Sequence, residues 1–161
     1  MRDFNGRAGM LARMETGTKL VYSSFVVLTV LGLLTAALLH GDGMGLDDAA
    51  TYWRGDDTEM AYPKSYRQLL ELTHFHLFTE PVTFLVLAHL YNLSGDAPRR
   101  KVVAVASALL AMVAQIALPW AITYGGAAFA VAFVPAHVLL TVSLLYMSGA
   151  ALVEMWWPSS P

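Results

Sequence analysis

Four apolar stretches, each long enough to cross a lipid bilayer, dominate the sequence. They cover residues 20–39, 66–93, 102–122 and 127–152. A helix needs about 20 mainly apolar residues to cross about 30 Å of hydrocarbon, and each stretch meets this length. Strands and open loops cannot face lipid, because their backbone groups would lack hydrogen bonds there. The sequence therefore predicts an all-α fold: a four-helix transmembrane bundle that forms a single domain over residues 1–161.

The composition agrees with a membrane protein and argues against several other functions. The chain is 57% hydrophobic and 14% charged, whereas soluble domains carry about 25% charged residues. Its net charge is -2, which argues against nucleic acid as a partner, because phosphate binding needs clustered Lys and Arg. The chain has no cysteine, so disulfides, thiolate zinc sites and covalent c-type haem are excluded.

Basic residues between the apolar stretches predict the orientation in the membrane. Seven flank the first stretch or follow the second: Arg2, Arg7, Arg13, Lys19, Arg99, Arg100 and Lys101. Three belong to the predicted outer loop, residues 40–65, or lie just after it: Arg54, Lys64 and Arg67. Cytoplasmic segments carry the excess of Lys and Arg. Both termini are therefore predicted on the cytoplasmic side of a bacterial inner membrane.

The outer loop contains a short segment with apolar residues at helical spacing. Ala49, Ala50, Tyr52 and Trp53 lie within Leu46–Arg54. This pattern predicts a short helix that lies on the membrane surface.

Polar residues inside the second stretch are the strongest functional signal. Thr73, His76, Glu80 and Thr83 are spaced by three or four residues, which places them on one face of a helix. A charged side chain at the bilayer centre costs about 3 kcal/mol on insertion scales and usually works with a partner. We therefore expect this face to point towards protein and to carry the function.

Candidate partners occur at similar depth on the third and fourth stretches. At 1.5 Å per residue, Glu80 and His137 both lie roughly 12 Å from the outer surface, and Gln115 approaches the same level. His74 points about 200° around the helix from His76, so only one of these two histidines can serve. The predicted site is built from His76, Glu80 and His137, with His74 and Gln115 near it.

In size, topology and histidine placement, the chain resembles small four-helix membrane b-type cytochromes and small subunits of bacterial respiratory membrane complexes. The resemblance implies one haem b in the outer half of the bundle. Its axial ligands would be His76 and His137, with His74 as the substitute for His76. It also implies electron transfer, in exchange with a quinone.

Other interpretations of the same residues remain open. Glu80 and Gln115 could form a proton relay or a quinone-binding site with His76. His76 and His137 could instead bind a divalent metal such as zinc or iron. The chain could also be an accessory or assembly subunit, which packs against other membrane subunits through its small residues. The sequence does not decide whether the protein is an enzyme.

Overall fold

The computed structural model describes residues 10–40, 46–58 and 60–157, and its regular elements are helices. The five α-helices are α1 (Thr16–His40), α2 (Leu46–Arg54), α3 (Tyr66–Asn92), α4 (Pro98–Trp120) and α5 (Phe133–Trp156). A π-helical turn, Ala121–Gly125, and a 3-10 segment, Ala127–Ala132, connect α4 to α5. The all-α prediction is therefore confirmed for the part of the chain that the structure describes.

Three helical segments among the described residues are long and apolar enough to cross a membrane. They are Thr16–Leu38, Pro98–Gly125 and Ala127–Trp156. Helix α3 has 27 residues but is not one of the three, because its histidines and Glu80 lower its hydropathy. The four long helices thus divide into three apolar ones and one that carries polar groups.

Helices α3, α4 and α5 form a common core. The most extensive packing is between α4 and α5, and α3 packs against both of them. Leu87, Leu90 and Tyr91 of α3, Ala108 of α4 and Met147 of α5 are fully buried there. Small residues such as alanine allow membrane helices to approach closely without a hydrophobic driving force between them. The position of α3 against both neighbours turns one of its faces inwards.

Helix α1 lies at the edge of this core and packs chiefly against α5. Only 6% of its apolar window is buried, against 33% for the other two apolar segments. The Lys19 ammonium donates a hydrogen bond to Met155 O (2.6 Å), and Trp156 Nε1 donates to Ser23 Oγ (2.9 Å). The start of α1 therefore lies beside the end of α5, and the two helices are antiparallel.

Helix α2 covers the opposite end of the core, as a cap. Ala49 and Trp53 are buried, and the Trp53 ring lies 5.8 Å from the Phe133 ring in an edge-to-face arrangement. Arg54 Nη1 donates to Ile122 O (2.9 Å), which satisfies a carbonyl in the turn after α4. A short helix is present as predicted, its apolar side packs against the connection between α4 and α5, and its position on the membrane surface stays a prediction.

Gly55 ends this cap and reverses the chain. Its φ of +75° is a conformation that residues with a Cβ rarely adopt. A Cβ atom there would overlap Ala61 O and would lie 2.6 Å from Pro63 N. The returning backbone is tied to α2, because Lys64 N donates to Trp53 O (3.1 Å). Only glycine fits this turn without a shift of the backbone.

Candidate functional site

The polar face of α3 points towards α4. Trp120 Nε1 donates a hydrogen bond to Thr73 Oγ1 (2.7 Å), and Gln115 Nε2 donates to Glu80 Oε1 (2.7 Å). The two acceptors lie seven residues apart, which is about two helical turns. Both bonds cross from α4 to α3, so the face that carries Thr73 and Glu80 lies against protein.

Local sequence signals set the register of this face. The Ser65 hydroxyl accepts from Gln68 N (3.3 Å), and Gln68 Oε1 accepts from Ser65 N (2.8 Å). This reciprocal capping box fixes the first turn of α3 and therefore the direction of every later side chain. Pro81 follows Glu80 and has no backbone N–H, so the carbonyl of Leu77 lacks its helical partner in the same turn.

His76 and Glu80 form a close pair one helical turn apart. His76 Nδ1 lies 2.6 Å from Glu80 Oε1, and the two side chains are 26% and 18% exposed. The Gln115 amide nitrogen can only donate, so Oε1 acts as the acceptor for it. With Glu80 as a carboxylate, His76 Nδ1 carries a proton and donates it to the same oxygen. The other ring nitrogen, Nε2, is then the one available to a ligand.

The second carboxylate oxygen of Glu80 has no partner in the described part of the chain. Oε2 is buried and makes no hydrogen bond among the described residues. A buried polar atom without a partner costs free energy of about 1–3 kcal/mol. The site therefore combines one unpaired acceptor, Glu80 Oε2, with one imidazole nitrogen, His76 Nε2, on a membrane-length helix.

The structure places the other predicted site residues as follows. His137 Nδ1 donates to Phe133 O on its own helix (3.1 Å), and its ring lies 4.5 Å from the Phe133 ring. His74 is exposed, with its ring 5.0 Å from that of Phe78, so it faces away from His76. The structure thus joins His76, Glu80 and Gln115, while the convergence of His137 with them stays a prediction.

The donor set can be compared with what metals and haem require. Among the described residues, no group of three or more His, Asp or Glu side chains is arranged to hold a metal ion. A bis-histidine haem needs only two imidazoles. Both His76 and His137 have Nδ1 held by an oxygen, Glu80 Oε1 and Phe133 O respectively. This arrangement is typical of ligating histidines, because it fixes the tautomer and the ring orientation. The two histidines fit the chemistry of a haem ligand pair.

A second polar cluster, not predicted from the sequence, lies at the end of the core away from α2. The carboxylate of Asp96 accepts hydrogen bonds from Tyr91 Oη (2.6 Å) and Tyr146 Oη (2.8 Å) and pairs with Arg100 Nε (2.8 Å). Burial tends to raise the pKa of Asp96, but the hydrogen bonds from the two tyrosine hydroxyls and Ala97 N, with the charge of Arg100, outweigh it and hold the pKa below its ordinary value. The cluster ties α3, α4 and α5 together. In the sequence, the only sign of this cluster is that Asp96 lies shortly before the basic residues 99–101.

Apolar length, helical packing and an internal polar face define the class: this is an integral membrane protein built from α-helices, which contacts the lipid bilayer. A family model described as a transmembrane helical domain, Aq_1264_TM, matches residues 43–161. The chain therefore belongs to this family. The match contains α2 to α5 and all three residues of the hydrogen-bonded site, and it begins after α1. No curated protein and no solved structure matches the chain.

Proposed function

We propose that α1, α3, α4 and α5 all cross the membrane as a four-helix bundle, with both termini on the cytoplasmic side of a bacterial inner membrane. Helix α3 is long enough, since 27 residues extend about 40 Å. Its polar face is turned towards α4 and the Glu80 carboxylate is hydrogen-bonded and 18% exposed, so this charge lies mostly against protein. The excess of Lys and Arg near the N-terminus and between α3 and α4 supports the sidedness.

Single cysteines test this topology directly, because the chain has none of its own. Asp57 follows α2 and Ala97 precedes α4, and both are exposed. We expect a membrane-impermeant maleimide to label Asp57→Cys in intact bacterial cells, and Ala97→Cys only after permeabilisation. The reason is that α3 carries the chain across the bilayer between the two positions. Equal labelling of both variants in intact cells would mean that α3 does not span the membrane.

We propose further that His76, Glu80 and Gln115 bind the head group of a quinone and exchange protons with it. The observation that carries this proposal is the buried, unpartnered Glu80 Oε2 beside an Oε1 that is held by two donors. A quinol hydroxyl is a donor that would satisfy Oε2, and His76 Nε2 is a second proton-exchanging atom within the same turn of α3. Intramembrane carboxylates and histidines commonly serve such proton transfers.

This assignment makes the chain an electron-transfer component of the membrane. The described residues of this small chain offer a proton-exchanging site, and other membrane subunits would supply the electron carrier that a quinol reduces. Small residues on α4 and α5 suit packing against such subunits. We propose the quinone-binding role for the three residues together. Gln115 orients Glu80 through one hydrogen bond, and Glu80 orients His76 through another.

Quinone binding can be measured on the detergent-purified protein. Trp120, one of the four tryptophans, donates to Thr73 on the polar face of α3, so a ligand bound there should quench part of the protein fluorescence. We expect a short-chain quinone to quench the fluorescence saturably, and Gln115→Leu to weaken the binding because Glu80 loses its donor. Two results together would contradict the proposal: quenching that rises linearly without saturation, and no effect of Gln115→Leu. They would show that the quinone only partitions into the micelle.

A second candidate function is electron transfer through one haem b held by His76 and His137. The oxygen contacts at Nδ1 of both rings favour it. Such a haem would carry electrons, and these two residues would bind it through Nε2. Protein from a haem-replete host should then show a sharp α-band when reduced with dithionite, which His76→Ala and His137→Ala each remove.

His89→Ala is the matched control for the haem test, because His89 lies on α3 but is exposed. It should keep the band. A featureless spectrum of the parent protein would exclude the haem candidate and leave the quinone proposal standing. If the quinone titration also failed, the accessory-subunit interpretation would be the one supported.

A further inference from the structure

A groove of about 550 Å³ runs between α4 and α5, at the end of the bundle away from α2. Its floor is made of small side chains, Ala104 and Ser143, both buried. Val103 and Val142 form exposed apolar walls, and Ser107 lies at the deep end. The groove is therefore mostly apolar and opens towards the surroundings of the helices.

One end of the groove carries a positive charge. Arg99 and Arg100 both line it, in the first turn of α4. Arg100 is engaged by Asp96 at 2.8 Å, whereas Arg99 is exposed and makes no hydrogen bond or ion pair within the described part of the chain. Arg99 and Ser107 lie eight residues apart, which is about 12 Å along the helix. The groove is thus positively charged at its Arg99 end and apolar further along α4.

We propose that this groove binds an anionic phospholipid, with the lipid phosphate on Arg99 and an acyl chain between Val103 and Val142. The order of groups along the groove matches the order along a phospholipid. The lipid places its phosphate at the membrane boundary, where Arg99 would lie, and its hydrocarbon deeper, where the valines would lie. A guanidinium binds a phosphate with parallel N–H···O bonds. Basic residues next to a membrane helix attract anionic lipids in general, and the unpaired Arg99 adds a specific contact to this attraction.

A neighbouring groove shows why the first one is selective. It also borders Tyr146, and its lining includes Asp96 and Glu154, with Arg100 already paired to Asp96. Glu154 Oε2 accepts a hydrogen bond from Gly95 N (2.6 Å). Two carboxylates repel a phosphate, so the second groove does not suit an anionic head group. The groove that begins at Arg99 is the one with charge complementary to such a lipid.

The test uses full-length protein that has been stripped of lipid in detergent. Phosphatidylglycerol, phosphatidylcholine and inorganic phosphate are added separately, and native mass spectrometry and thermal unfolding report binding. We expect phosphatidylglycerol to bind in a one-to-one complex and to raise the unfolding temperature. Phosphatidylcholine and phosphate at the same concentration should do neither to a comparable extent. Arg99→Gln should weaken phosphatidylglycerol binding about tenfold, which corresponds to the loss of about one charge-assisted contact.

Arg67→Gln is the matched control, because Arg67 is an exposed arginine of α3 that pairs with Glu71 on the surface, away from the groove. It should bind phosphatidylglycerol as the parent does. Ser107→Leu fills the groove without changing charge and should weaken binding too; if it does not fold, the Arg99 and Arg67 pair still decides. Equal binding of the two lipids, equal behaviour of the two arginine variants, or stabilisation by phosphate alone would each overturn the proposal.

Discussion

Glu80→Ala is expected to abolish quinone binding and to destabilise the helix bundle. Without the carboxylate, Gln115 Nε2 and His76 Nδ1 both lose their acceptor. Each buried polar group left without a partner costs about 1–3 kcal/mol. The unfolding temperature in detergent should therefore fall clearly, and saturable quenching by a short-chain quinone should disappear. Scanning fluorimetry and the quinone titration measure the two effects on the same sample.

Glu80→Gln separates the two effects. A glutamine oxygen can still accept from Gln115 and His76, so this variant should unfold near the temperature of the parent protein. It cannot gain or lose a proton, and its NH₂ group would meet the quinol hydroxyl in place of Oε2. We expect about tenfold weaker quinol binding, which is the effect of about one hydrogen bond to a charged group.

Glu71→Gln is the control on the same helix. Glu71 is exposed and pairs with Arg67 on the surface at 2.8 Å, and such pairs contribute about 0–1 kcal/mol. It should change neither stability nor quinone binding. If Glu80→Gln behaved like Glu71→Gln in the titration, Glu80 would be a packing residue and the quinone site would be wrong.

Gly55→Ala is expected to produce a large loss of stability at the end of the molecule that α2 covers. An alanine at a φ of +75° is strained by about 1–2 kcal/mol. Its Cβ would also overlap Ala61 O and crowd Pro63 N, so the backbone that returns to Trp53 must move. Together we expect a loss of about 3 kcal/mol, and a shift in the tryptophan fluorescence, to which Trp53 contributes, as α2 detaches from Phe133.

Gly149→Ala is the matched control for this substitution. Gly149 lies in α5, is exposed, and a Cβ atom there would meet nothing within 4 Å. Alanine is also the better helix former, by up to about 1 kcal/mol. This variant should be as stable as the parent protein or slightly more so. Equal unfolding temperatures for the two glycine variants would show that the turn at Gly55 tolerates a side chain.

Much of the helical architecture could be predicted from the sequence, because the bilayer permits few solutions. A stretch of about 20 apolar residues must form a helix if it crosses lipid. The polar stripe of α3 followed from helical periodicity alone, and the structure does place Gln115 at Glu80. Helical periodicity assigns Glu80 to a face of its own helix. Its contact with Gln115 could be anticipated because the two residues were predicted to lie at matching depth on two different helices.

Contacts that depend on loops could not be predicted in the same way. Tyr91 is fully buried, yet its partner Asp96 lies beyond the end of α3, where helical spacing no longer applies. The packing of Trp53 onto Phe133 depends likewise on how the chain turns around Gly55. The position of His137 relative to His76 depends on the rotation of α5, which no spacing within a single helix determines.

The attachment of α1 has a consequence for how the protein is made. This helix is synthesised before its chief neighbour, α5. During biogenesis α1 must therefore remain in the bilayer without a docked partner. Residues 20–39 contain no charged side chain, so this segment is stable in lipid by itself. The bond from Lys19 to Met155 forms only after α5 has been synthesised, so it joins two segments that enter the bilayer at different times.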